Sequence, residues 1–214
     1  MTYLAWAVMY EGESDAAYYN VLLPRLMEDL VLAGTKLPTI PTAPAIRISR
    51  STVDQVAQEA CDASSAFHLL FIHADTGGRG VANGIADRSS AYADAMAACC
   101  GWPKVQCIGI APGHETEAWI LADPLAVTAT LGYSGAANTI GLPNGAVEAE
   151  RLQDPKATLR EAIQQVRGRR KPVDLAQVFP AIAQRQRLDE LRRAPSFRTF
   201  EANLKVALHL THCL

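Results

Sequence analysis

Apolar residues recur along this chain in two rhythms. Four short runs are extended in character: residues 3–10 (YLAWAVMY), 45–49 (AIRIS), 67–72 (FHLLFI) and 104–110 (KVQCIGI). Between them the spacing changes to threes and fours. Tyr18, Leu22, Leu26 and Leu30 follow Ser14-Asp15 in helical register, with Pro24 inside the pattern predicting a kink or a break. Residues 51–65 predict a helix capped by Ser51 or Thr52, and residues 85–100 an alanine-rich one. After Pro112-Gly113 the stretch ETEAWILADPLAV turns helical, with Trp119, Ile120 and Leu121 as core residues. Residues 130–147, with four glycines, a proline and two asparagines, predict a loop or insertion. From 155 onward only helical patterns occur, punctuated by Pro172, Pro180 and Pro195.

Strands alternating with helices indicate an α/β fold, a mainly parallel sheet flanked by helices, followed by a helical C-terminal region. The expected organisation is an α/β domain over residues 1–150 and a basic helical extension over 151–214 packed on it. Charge sharpens that division. Residues 1–150 hold 7 Lys/Arg against 16 Asp/Glu, whereas residues 151–214 hold 13 against 6. The basic third reads either as a solvated helical surface or as a face that meets phosphate. The phosphate-facing residues would be Arg169, Arg170 and Lys171 of RGRRK, with Arg192 and Arg193.

No apolar run approaches the roughly 18 residues that span a bilayer, so no membrane partner is expected. The N-terminus reads as a first strand rather than a signal peptide. Five cysteines, an odd count without a CxxC pair, suggest reduced thiols in a cytoplasmic protein.

Candidate chemistry collects where the strands end. Ligands of open parallel sheets bind outside the carboxyl ends of the strands. Here Glu11 follows the first run, His73 and Asp75 follow the third, and His114, Glu115 and Glu117 follow the fourth. Oxygen-rich groups of this kind suit Mg²⁺ or Mn²⁺. Solvated strand ends are the plainer explanation of each, and carboxylates in a first helical turn are favoured by the helix dipole without any function. The stretch HETEA is not HExxH, which argues against a zincin-type protease. The loop GGRG (77–80) matches neither a Walker A loop nor GxGxxG; it is a flexible turn or an anion-binding nest with Arg79.

Glutamate-glycine after a first strand, with an acid after a later one, resembles the Toprim arrangement of topoisomerases, primases and overcoming-lysogenization-defect nucleases. HETEAWILADP (114–124) resembles the H-E-x-E-A-x-x-x-x-D-P signature of an uncharacterised bacterial family with a Toprim-like core. RLDELRRAPSFRTFEANLKVAL (187–208) is similar to that family's C-terminal helices. The resemblance covers most of the chain, with 130–150 poorly matched. It implies that Glu11, Asp75, His114, Glu115, Glu117 and Asp123 occupy signature positions. It implies Glu11, Asp75 and His114 as catalytic residues, Glu11 for acid/base work or metal ligation, and Asp75 with Glu115 or Glu117, and with His73, as ligands of Mg²⁺ or Mn²⁺. The chain departs from the pattern at His73, which stands where the first acid of D-x-D belongs, and an imidazole there favours Mn²⁺ over Mg²⁺. Asp123 before Pro124 reads equally well as a helix-terminating turn residue. The expected function is a metal-dependent phosphodiesterase or nuclease acting on DNA or RNA, in a phage-defence setting with a separately encoded ATPase. The alternative is a degenerate Toprim-like subunit that binds nucleic acid or the ATPase without chemistry.

Overall fold

The alternation of side chains along a strand determines the layering of this protein. In the computed structural model, which describes residues 3–10, 12–32, 46–47, 52–73, 75–78, 80–168 and 174–211, four parallel strands form one sheet. They are β1 (Trp6–Tyr10), β2 (Ile46–Arg47), β3 (Leu69–His73) and β4 (Cys107–Ile110), in the order β2-β1-β3-β4. Trp6, Val8, Leu69 and Phe71 point to one face, Ala7, Met9, Leu70 and Ile72 to the other, and all eight are buried. A strand buried on both faces must be apolar throughout, which is why these runs show no polar alternation.

The second face is covered by a thin layer: α2 (Val53–Asp62) and α4 (Ser90–Cys100), the latter preceded by the short α3 (Val81–Gly84). Thr52 caps α2 through a reciprocal capping box with Gln55. The first face carries the large layer. Here α1 (Glu13–Leu32) runs unbroken through Pro24, where a kink or break was expected. Around it lie α5 (Thr116–Leu121), α6 (Pro124–Leu131), α7 (Ala146–Ala149), α8 (Pro155–Arg167), α9 (Leu175–Arg185), α10 (Leu188–Leu191) and α11 (Pro195–Leu210).

The helices beyond residue 151 belong to the same core as the sheet. Leu159, Phe179, Ile182, Phe197 and Phe200 form one cluster with Trp6, Phe71 and Leu22. Residues 130–147 join it too: Ile140 and Leu142 are buried, and the segment holds a 3₁₀ turn (Ala137–Ile140) and the start of α7, more order than a loop.

The expectation of reduced thiols is corrected. Cys61 of α2 and Cys100 of α4 stand at disulfide-bonding distance, so the thiols are not all free; Cys99 and Cys107 are. The helix termini brought together by packing make this pair, and linear spacing of 39 residues gave no hint of it. Asp123 lies in the two-residue turn that follows the end of α5, as the helix-terminating reading has it, and also caps α6, whose first residue is Pro124. Among the described residues, no helix is long and apolar enough to cross a membrane.

Asp123 is also the hub of an ion pair, its own carboxylate buried and the Arg187 side chain half exposed. Arg187 Nη2 donates to its Oδ1 at 2.8 Å, while Arg187 Nε and backbone N donate to Oδ2 at 3.0 and 2.9 Å. Burial alone would raise this carboxyl; the hydrogen bonds and charge of Arg187 outweigh it and hold it below its ordinary value. The contribution is therefore present at neutral pH and lost only as pH falls through that lowered value. Arg187→Met leaves the Asp123 carboxylate without its partner and should cost about 1–3 kcal/mol in urea unfolding at pH 7, less than for a fully buried pair because Arg187 is half exposed. Adding Asp123→Asn should recover part of the loss; an Arg187→Met protein as stable as wild type would contradict the pairing.

Candidate functional site

Three segments meet at the carboxyl edge of the sheet. The first turn of α1 follows β1, residues 75–78 follow β3, and α5 follows β4 after Gly113 and His114. Because the strands are parallel and β1, β3 and β4 are neighbours, all three segments leave the sheet on the same side.

Helix α5 is short and all six of its residues are buried. A buried helix must have its end groups and polar side chains satisfied from outside itself. Gln186 donates from Nε2 to the Trp119 and Ile120 carbonyls at 2.7 and 3.2 Å, and accepts from Tyr18 Oη at 2.6 Å. Trp119 Nε1 donates to Ser196 Oγ at 2.7 Å, and that hydroxyl in turn donates to Glu150. These contacts fix the helix and so aim its N-terminus, where Glu115, Thr116 and Glu117 sit.

Thr116 is the centre of a polar knot. Its hydroxyl donates to Asp15 Oδ1 at 2.7 Å and lies 3.1 Å from both Tyr19 Oη and His73 Nε2. His73 is fully buried at the end of β3, its ring centroid 5.1 Å from that of Tyr19. Its Nε2 also stands 3.3 Å from Asp75 Oδ1. Burial first, and then the field of Asp15, push the Tyr19 hydroxyl well above its ordinary pKa, so it stays protonated. Asp15 has room to fold back because position 12 is glycine: a Cβ there would stand 2.9 Å from Asp15 Oδ2.

Glu117 lies beside this knot, with only 4% of its side chain exposed. Burial pushes its carboxyl up to about 7; Glu115 and Asp15 raise it as like charges, and Lys156, its Nζ 3.8 Å away, pulls the other way. The half-buried His114 serves through its backbone. Its carbonyl accepts from the Thr76 and Gly77 amides at 3.0 and 3.2 Å, which docks the glycine loop. Gly78, at φ +77°, packs on the imidazole so closely that a Cβ would meet its Cε1 at 2.6 Å.

The structure thus gathers His73, Asp75, His114, Glu115 and Glu117 at one sheet edge, as the sequence suggested. Glu11 follows directly on β1 but lies outside the described residues, as do Arg169, Arg170 and Lys171. Asp15, Thr116, Tyr19 and Lys156 were missed. One signal for the first was available: Asp15 and Tyr19 are four apart, so an acid and a large aromatic share one face of α1. Asp123 stands apart from this edge as the α6 cap, engaged by Arg187. Arg192 is committed elsewhere as well, its guanidinium within 3.2 Å of Asp29, Asp189 and Glu201, whereas Arg193 is 70% exposed beside Glu190. Two surface cavities, of about 470 and 270 Å³, are lined by none of Asp15, Asp75, Glu115 and Glu117; one lies against Asn144, Arg151 and Arg193, the other against Lys104, Cys107 and Asn203.

The fit of this edge to a divalent ion divides by residue. Asp75 Oδ1 and Glu115 Oε2 are buried oxygen atoms without a hydrogen-bond partner among the described residues, which is what a hard cation satisfies. The oxygen set fits Mg²⁺ or Mn²⁺. His73 is engaged with Thr116 at Nε2, so an ion could reach this imidazole only at Nδ1, which is buried without a partner among the described residues. Among the described residues, no three His, Cys, Asp or Glu side chains already stand in metal-holding geometry. No family model matches this chain, and comparison with curated proteins and with solved structures finds no match either.

The raised Glu117 carboxyl carries a pH signature. Unfolded, it releases its proton near 4.5; folded, near 7. The penalty on folding is therefore absent below pH 4.5, grows between the two values and is complete above 7, reaching about 3 kcal/mol at about 1.4 kcal/mol per unit. In EDTA, Glu117→Gln should stabilise the protein at pH 8 and change it little at pH 4.5. Equal effects at both pH values, read by urea unfolding, would place the Glu117 pKa at its ordinary value.

Proposed function

We propose that this edge is the active site of a divalent-metal-dependent phosphodiesterase or nuclease of Toprim-like type. The observation that carries the reading is Glu117, a buried carboxyl with a pKa near neutrality, set among acids at the carboxyl edge of a parallel sheet. A group that titrates near the working pH is suited to moving a proton at a reacting oxygen, which contributes roughly 10²–10⁴-fold to rate.

Asp75 and Glu115 are the residues that would hold the metal, and Glu11 joins them on the strength of the family resemblance. A divalent ion bound there would activate water and neutralise charge on the phosphate. The chain's own part is to orient and to move protons. Lys156, 42% exposed, offers a cation to a phosphate oxygen on the open side of Glu117. Glu117 takes or returns the proton. The glycine loop docked on His114 leaves room for a backbone to approach. Nucleic acid is the favoured substrate because the C-terminal third is basic; Arg193 is exposed, and Arg169, Arg170 and Lys171 extend the same balance. The resemblance adds a phage-defence setting with a separately encoded ATPase, and a cytoplasmic location.

The second reading is a Toprim-like subunit that binds nucleic acid or an ATPase without chemistry. It is favoured by the departure at His73 and by the lack of a ready metal-holding cluster among the described residues.

Cleavage of DNA and RNA with Mn²⁺ or Mg²⁺ separates the two. The wild type should cleave with Mn²⁺, and Asp75→Ala, or Glu115→Ala with Glu117→Ala, should lower the rate by about 100-fold or more. Cleavage that survives both changes would rule out this site. Nucleic-acid binding without cleavage by the wild type, weakened by neutralising Arg169, Arg170 and Lys171 and with a flatter salt dependence, would establish the second reading.

A further inference from the structure

We infer that His73 is a positioning residue, whose Nε2–H donates to the Thr116 hydroxyl while the same edge of the ring faces the Asp75 carboxylate, and so fixes the acids on either side of it. Its functional consequence rests on the metal-dependent reading above; its geometry rests on proton accounting alone.

A threonine hydroxyl carries one proton and can accept at two lone pairs. The 2.7 Å contact with Asp15 Oδ1 takes that proton, because an ionised carboxylate can only accept. Thr116 Oγ1 is then an acceptor toward its two other neighbours, Tyr19 Oη and His73 Nε2, each at 3.1 Å. Tyr19 has a proton to give, its hydroxyl held protonated by burial. For the second contact to be a hydrogen bond, Nε2 must carry hydrogen. Asp75 Oδ1 stands 3.3 Å from the same nitrogen, at ion-pair distance and without a formed hydrogen bond among the described residues. Nδ1, on the other side of the ring, is buried and has no partner among the described residues. With Nε2 protonated it is a bare lone pair, a smaller cost than an orphaned N–H.

One imidazole therefore stands between two carboxylates that come from different segments. It faces Asp75 at 3.3 Å and is bonded to Asp15 through Thr116. The Tyr19 ring holds it from the side. An aspartate at position 73 could supply neither donor nor ring, and would add a third negative charge between the other two. This accounts for a histidine where the family pattern has an acid: the position is wholly buried and serves its neighbours.

Long-range ¹H–¹⁵N correlations on histidine-labelled protein read the tautomer directly, with or without metal. His73 should show the Nε2–H form; the isosteric Thr116→Val should shift its ring signals, and Thr116→Ser should restore them. Binding of Mn²⁺, followed by the EPR signal of the free ion, reads the consequence. Thr116→Val and His73→Leu should weaken it by about 10–100-fold, the usual effect of losing a group that orients a ligand, while Thr116→Ser should keep wild-type affinity. Thermal melts confirm folding, and should His73→Leu not fold, Thr116→Val carries the test. An Nδ1–H tautomer, or His73 signals indifferent to Thr116→Val, would overturn the inference. So would the Nε2–H form combined with unchanged Mn²⁺ affinity in Thr116→Val. A wild type that binds no Mn²⁺ would instead overturn the metal-dependent reading, leaving the NMR result to decide the role of His73.

Discussion

A six-residue helix buried on every side is the constraint on which the rest of this structure depends. Helix α5 has too few turns to satisfy its own backbone, so its carbonyls and its tryptophan must find partners elsewhere. They find them in Gln186 and Ser196, both from the C-terminal third. Removing either would leave polar groups unpaired in a dry interior, at about 1–3 kcal/mol each. That requirement ties residues beyond 151 into the core of the sheet. It also fixes the direction in which Glu115, Thr116 and Glu117 emerge.

Burial has opposite chemical results at two carboxylates. Asp123 is enclosed with a guanidinium that meets both its oxygens, so it stays ionised and structural. Glu117 is enclosed with only a distant ammonium and with other acids, so it holds its proton to about pH 7. The two lie in one motif, HETEAWILADP, six residues apart. Only their partners, 64 and 39 positions further along the chain, distinguish them.

Much of this was legible in the sequence. The four strands and their parallel character followed from short apolar runs between helical periods, and the acids at the strand ends followed from the topology. What escaped detection was everything made by long-range pairing. Thr116 reads as an unremarkable residue between two glutamates, yet it is linked to Asp15 and His73 at separations of 101 and 43 residues. Cys61 and Cys100 carry no spacing signal because two helix ends create their proximity. The basic third looked like an extension because charge describes its surface, while Phe179, Phe197 and Phe200 put its other side in the core. Arg192 shows the same limit: its charge was visible, but its three carboxylate partners were not.

The central claim is that the acids at this sheet edge converge on a divalent ion. Crystals grown with Mn²⁺, with anomalous scattering collected at the manganese edge, test it most directly. The account predicts a peak bound by the Asp75 and Glu115 carboxylates, with His73 hydrogen-bonded to Thr116 and outside the coordination sphere. A peak ligated by His73, or no peak at this edge in saturating Mn²⁺, would contradict it.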